Sequence, residues 1–199
     1  MGLQICYSLL FALDVRFLPE FSQKCVCGVV YKKILILGNG GSGKSTLACQ
    51  LKQLTGWPVL HLDSIYWETG YAHARRDVFI NKVSDFCKKE AWIVEGTPMP
   101  GLEYRVSMAD VVVFIDAITI RCLARIIKRW FFSFCFRKSD LTSCPALKLD
   151  WKSLRWVCSF NKRIRPKVFE AVGSGKQVDI VLLRGKLDTR LFLRSFISM

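Results

Sequence analysis

The sequence predicts an α/β fold: a three-layer sandwich in which helices cover both faces of a five-stranded parallel sheet. Two observations carry this expectation. Short apolar runs rich in β-branched residues recur without inside-outside alternation, as strands buried on both faces require. Segments with helical spacing of apolar residues separate them, and parallel strands need such crossovers. A chain of 199 residues with 51% hydrophobic content suits one domain of this kind.

The elements follow in order. Ile34-Leu35-Ile36-Leu37 reads as the first strand, and Leu47, Leu51 and Leu54 mark a helix over 45–54. Residues 58–63 form a second strand that ends in Asp63. Residues 77–89 read as a helix with Val78, Phe79, Val83 and Phe86 inward. The third strand spans 92–96 and the fourth 110–116. A long basic helix occupies 118–132, and the polar stretch 133–150 reads as a mobile connection. Helix returns over 151–171 with a break at Pro166; 177–183 is the fifth strand, and a last helix closes the chain. Residues 1–32 read as an N-terminal extension to a domain of residues 33–199. Asp14 and Arg16 interrupt its apolar run, so no signal peptide is expected.

Between the first strand and its helix lies Gly38-Asn39-Gly40-Gly41-Ser42-Gly43-Lys44-Ser45, which fits the phosphate-loop pattern G-x-x-x-x-G-K-[ST]. Glycines allow consecutive N–H groups to point at an anion, and the following helix adds its positive end. Gly38, Asn39, Gly40, Gly41, Ser42, Gly43, Lys44, Ser45 and Thr46 are therefore candidate nucleotide contacts. Lys44 would reach the β and γ phosphates, and the Ser45 hydroxyl would help hold Mg2+. A guanine-specific Asn-Lys-x-Asp is missing: Asn81-Lys82-Val83-Ser84 and Asn161-Lys162-Arg163-Ile164 both fail at the fourth place. ATP is the expected nucleotide.

Ligands of parallel sheets bind beyond the carboxyl ends of strands, so the residues that finish strands matter most. Glu95 stands where a carboxylate would hold Mg2+ through water; a structural carboxylate is the alternative. Asp63 would accept the proton of an attacking hydroxyl or orient the acceptor. Asp116 caps the next helix. Charge that spreads over a transferring phosphoryl group calls for guanidinium forks. Arg129 and Arg137 are the catalytic candidates of this type. Arg121, Arg125 and Arg129 share a helical face, with Arg163 and Arg165 further on, which suggests a basic lid over about 121–165. Arg105 is a candidate grip for an acceptor phosphate. Tyr66, Trp67 and Tyr71 either stack on a base or fill the core, and His61 and His73 show no metal or triad partner.

The formal net charge is +14, and residues 121–170 hold thirteen Lys or Arg against three acids. That density implies an anionic partner, either nucleotide phosphates or a nucleic-acid backbone along 121–167. No helix-turn-helix or zinc-finger spacing accompanies it. No apolar stretch is long enough to span a bilayer, so no membrane partner is expected. Nine cysteines without a C-x-x-C pair read as reduced thiols and a cytoplasmic protein.

Five blocks resemble the bacterial DNA topology modulation protein FlaR family, small phosphate-loop proteins related to adenylate kinases. They are Ile36 through Ala48, His61-Leu62-Asp63-Ser64-Ile65-Tyr66-Trp67, Trp92-Ile93-Val94-Glu95-Gly96, Ala109 through Asp116, and Cys122-Leu123 with Lys128-Arg129. The resemblance covers about residues 33–185. It implies an adenylate-kinase-like fold with a lid between the fourth strand and the late helices, and phosphate contacts at Gly40 through Thr46. Glu95-Gly96-Thr97-Pro98 departs from that family's usual Asp-Gly-Asn-Tyr. Three functions follow as expectations: an ATP- and Mg2+-dependent kinase of an unidentified nucleotide or small metabolite, a DNA-binding topology regulator, or an inactive nucleotide-binding module.

Overall fold

The computed structural model describes residues 31–66, 76–135, 151–173, 178–194 and 196. Most of the expected 1–32 extension and of the 133–150 connection lies outside the described residues, as do Trp67, Tyr71, His73 and Arg137.

Five strands form one parallel sheet: β1 (Lys33–Gly38), β2 (Val59–His61), β3 (Trp92–Glu95), β4 (Val111–Ile115) and β5 (Asp179–Leu183). Their spatial order is β2-β3-β1-β4-β5, with β1 in the centre. The register sets Ile36 beside Glu95, His61 beside Glu95, and Gly38 beside Ile115, which aligns the carboxyl ends along one edge. Eight helices are described: α1 (Lys44–Thr55), α2 (Leu62–Tyr66), α3 (Arg76–Cys87), α4 (Leu102–Met108), α5 (Thr119–Cys135), α6 (Trp151–Arg163), α7 (Arg165–Gly173) and α8 (Lys186–Arg194).

The apolar runs fill both faces of the sheet, and residue parity decides which. Ile34 and Ile36 of β1 pack with Leu47, Ala48 and Leu51 of α1 and Phe192 of α8. Leu35 and Leu37 pack on the other side with Phe79 and Val83 of α3, Leu102 and Val106 of α4, Phe160 of α6 and Val168 of α7. The four side chains from Ile34 to Leu37 are fully buried, which accounts for an apolar run with no polar position. The three-layer sandwich is as expected.

The sequence-based elements differ from the structure in places with physical causes. β2 stops at His61, so Asp63 stands in the first turn of the short helix α2 rather than at a strand end. α4 is an additional helix, too short to show two turns of periodicity. Val78 is 38% exposed, and Cys87 takes the buried position on α3 instead. The helix break falls at Ile164, not at Pro166. A proline lacks the N–H that a first helical turn leaves unused, so Pro166 fits near the start of α7.

Trp92 is fully buried, and its Nε1 donates to Cys87 O at 3.1 Å. Trp92→Ala should lower the unfolding free energy by about 3–5 kcal/mol, read from urea denaturation. Burial pushes the Cys87 thiol up to about 11 and raises that of buried Cys122 as well, whereas Cys49 and Cys158 are exposed. Iodoacetamide on the native protein near neutral pH should therefore label Cys49 and Cys158 and spare Cys87 and Cys122, as peptide mass mapping will show.

Candidate active site

The phosphate loop occupies the carboxyl end of β1. Gly38, Gly41 and Gly43 have φ of 148°, 72° and 110°, conformations that L side chains rarely adopt. At Gly41 a Cβ would also stand 2.6 Å from Cys122 O. Gly43 caps α1, whose first turn holds no acidic residue, so the positive end of the helix faces the loop without internal compensation. Lys44 is 7% exposed, and its Nζ donates to Asn39 O at 2.8 Å, which folds the ammonium back over the loop. Asn39 fixes the entry: its Nδ2 donates to Val157 O at 3.0 Å, and its Oδ1 accepts from Gly40 N at 2.7 Å.

Glu95 ends β3 and is 2% exposed. Its Oε1 accepts from Ser45 Oγ at 3.0 Å and lies 2.7 Å from His61 Nδ1. A carboxylate can only accept, so the ring presents Nδ1–H to it. His61, for which the sequence offered no metal or triad partner, is thus hydrogen-bonded to Glu95; β2 and β3 run side by side and end together. Burial raises the Glu95 pKa, but the His61 hydrogen bond, Lys44 and the Ser45 hydrogen bond together hold it below the usual carboxylate range. The Glu95 hydrogen bond in turn raises the His61 pKa. Both directions describe one ionised contact.

Asp63 is exposed, yet desolvation by the surrounding fold raises its pKa; Lys44 opposes the shift, Glu95 adds to it, and His61 and Arg129 oppose it. Asp63 lies close to the end of β3. Gly96, at φ 125°, permits the approach: a Cβ there would meet Leu62 Cβ at 2.9 Å and Asp63 Oδ1 at 3.4 Å.

Other arginines went elsewhere. Arg105 is fully buried, so it offers no grip to an acceptor phosphate. Its Nη1 donates to Pro100 O at 2.7 Å and its Nη2 to Pro98 O. Burial pulls its pKa down to about 10. The guanidinium knits together the loop after β3. Arg125 donates from Nη1 to Gly41 O at 3.2 Å and Ser42 O at 2.9 Å, which brings α5 onto the phosphate loop. Asp116 pairs with Arg165 at 3.2 Å rather than serving only as a cap. Tyr66 packs edge-on against Phe79, in the core rather than on a base.

Thr97 stood out in the sequence only as a departure from the family pattern, with no role assigned to it. Its Oγ1 donates to Gly38 O at 2.9 Å and accepts from Gly38 N at 3.3 Å, which bolts the loop after β3 to the start of the phosphate loop. The available signal was its position, two residues past the end of the strand that neighbours β1.

Among the described residues, four buried side-chain atoms have no partner, and two of them line this site: Ser42 Oγ and Glu95 Oε2. An unmet donor-acceptor inside the loop suits a phosphate oxygen, and an unmet carboxylate oxygen beside Ser45 suits a cation or its water. The residues present thus fit a nucleotide with Mg2+. No cluster of three or more His, Cys, Asp or Glu that could hold a metal is found among the described residues. Mg2+ needs no such cage, since it usually takes one or two protein ligands together with phosphates and water.

No protein-family model matches the sequence, and no curated protein is similar to it. Solved structures are similar to the fold. A shikimate kinase from Bacteroides thetaiotaomicron aligns with a TM-score of 0.53 at 12% identity, over 85% of this chain and 98% of its own. The fold is that of phosphate-loop kinases. A shikimate kinase from Acinetobacter baumannii in complex with shikimate aligns at 0.50 and 16% identity, over 83% of this chain and 90% of its own. A deoxyadenosine kinase from M. mycoides aligns at 0.49 and 14%, over 83% and 96%.

Thr97→Val keeps the shape but leaves the buried Gly38 amide without its side-chain partner. The variant should lose about 1–3 kcal/mol of stability in thermal unfolding. Its affinity for a fluorescent ATP analogue should fall as well, because the mouth of the loop loosens.

Proposed function

We propose that this chain is an ATP- and Mg2+-dependent phosphotransferase acting on a hydroxyl or phosphate of a nucleotide or small metabolite. One observation supports the reading: Ser45 and His61 meet Glu95 at the carboxyl edge of the sheet, next to Lys44 in the loop and close to Asp63, whose Oδ1 would lie 3.4 Å from a Cβ at Gly96. The phosphate-loop amides from Gly38 to Thr46 would hold the nucleotide phosphates. Ser45 and Glu95 would hold Mg2+, which supplies charge neutralisation between the β and γ phosphates when bound. Asp63 would take or orient the acceptor proton; its raised pKa keeps it closer to neutrality than an ordinary aspartate, as proton transfer favours. Arg129, and Arg137 beyond the described residues, would neutralise the transferring group as part of a lid over about 121–165. Arg105 has no part in it.

Kinases of small metabolites share the fold, which supports the substrate class. The free thiols among the described residues agree with a cytoplasmic site of action. A FlaR-type role in DNA topology remains a second proposal on the resemblance and on the basic 121–167 segment, and an inactive nucleotide-binding module is a third. Neither accounts for an aspartate at the end of β3, where Asp63 approaches Gly96.

Purified protein with ATP, Mg2+ and a panel of nucleosides, nucleotides and small hydroxy-metabolites should phosphorylate at least one of them. Asp63→Asn should lower kcat by about 10²-fold or more while ATP binding persists, as for a lost general base. Lys44→Ala should abolish both. Transfer to no acceptor, with Lys44-dependent ATP binding intact, would overturn the phosphotransferase reading and leave a nucleotide-dependent regulator or an inactive module.

A further inference from the structure

α5 works on two sides. One side belongs to the phosphate loop: Cys122 O and Ile126 lie against Gly41, and Arg125 donates to the loop carbonyls. The other side is a stripe of Ile120, Ala124, Ile127 and Phe131, whose spacings of four, three and four residues align them along the helix. Ile120 is 72% exposed, Ile127 49% and Phe131 57%. Arg121 and Lys128, both exposed, stand three and four residues from Ala124 and so run beside the stripe. α6 packs on α5 and begins with Trp151, 76% exposed. Together the two helices carry eight Lys or Arg and no Asp or Glu.

Charge and apolarity together select the occupant of this face. A second copy, stripe against stripe, would bring Arg121 and Lys128 of one α5 against the same cations of the other. A nucleic-acid backbone would satisfy the cations but leave Ile120, Ile127 and Phe131 in water, where they add nothing to binding. An anionic lipid surface takes both: the boundary with the acyl chains buries the stripe, and the headgroups neutralise Arg121 and Lys128. Among the described residues no helix is long and apolar enough to cross a membrane, and a helix lying in the interface has no need to cross. We propose that the Ile120-Ala124-Ile127-Phe131 face of α5 docks on an anionic membrane surface. This goes beyond the phosphotransferase reading and does not depend on it.

Full-length protein should co-sediment with vesicles of phosphatidylcholine containing phosphatidylserine, and not with phosphatidylcholine alone. Ile127→Ser combined with Phe131→Ser should lower the partition coefficient more than about tenfold, which locates the contact on α5. Arg121→Gln or Lys128→Gln should lower it about fivefold each. A measurement that needs no variant guards against misfolding: tryptophan fluorescence of the unaltered protein should be quenched by phosphatidylserine-containing vesicles whose acyl chains are brominated. Absence of vesicle binding, equal binding to uncharged vesicles, or full binding by the serine pair overturns the proposal. So does duplex DNA binding that survives the serine pair while vesicles stay unbound, which assigns the face to nucleic acid. A dimer in light scattering that the serine pair dissolves also overturns it, in favour of a second copy.

Discussion

Two hydrogen bonds converge on Glu95 Oε1, and the site is assembled around that oxygen. Ser45 Oγ brings the start of α1, His61 Nδ1 the end of β2, and Glu95 itself the end of β3. A carboxylate 2% exposed is tolerated as an ion only where donors and a cation meet it, and Lys44 supplies the cation. The pKa of Glu95 falls despite its burial, so the ionised form is the one this arrangement stabilises. Oε2 is left without a partner, so the cluster still has room for one more positive or proton-bearing group.

That convergence depends on the parallel sheet. β1 is buried on both faces, with β3 on one side and β4 on the other, so the groups at its carboxyl end share one edge with theirs. Thr97 and Arg105 make the edge stiff. Thr97 ties the loop after β3 to Gly38, and Arg105 holds Pro98 and Pro100 by their carbonyls from inside the fold. A buried guanidinium without a carboxylate partner among its hydrogen bonds is costly, and its depressed pKa is the sign of that cost. Carbonyl dipoles compensate in part, in a segment that must stay still for Glu95 and Asp63 to keep their places.

On the far side of the loop, α5 and α6 close in. Val157 O holds Asn39, Arg125 holds Gly41 and Ser42, and Ile126 leaves no room for a side chain at Gly41. The glycines of the loop therefore answer two demands: backbone conformation at positive φ, and direct approach of a helix that carries four basic residues and no acidic one. Movement of α5 relative to the loop would have to break the Arg125 hydrogen bonds, which couples the basic helices to the loop after β1.

The phosphate loop, its flanking strand and helix, and the five-stranded count were legible in the residues, because glycine conformation, β-branching and helical periodicity are local properties of the chain. Glu95 and Asp63 were legible as acids near strand ends, since parallel strands put ligands there. The partnership of His61 with Glu95 was not, for it arises between strands that are neighbours in space and more than thirty residues apart in sequence. Nor could composition tell the arginines apart: a guanidinium looks the same whether it stands exposed on a helix, as Arg129 does, grips loop carbonyls, as Arg125 does, or lies sealed in the core, as Arg105 does. The sequence by itself determined where phosphate chemistry can occur. Only the tertiary structure decided which charged side chains reach it, because burial and distance between remote segments have no local signature.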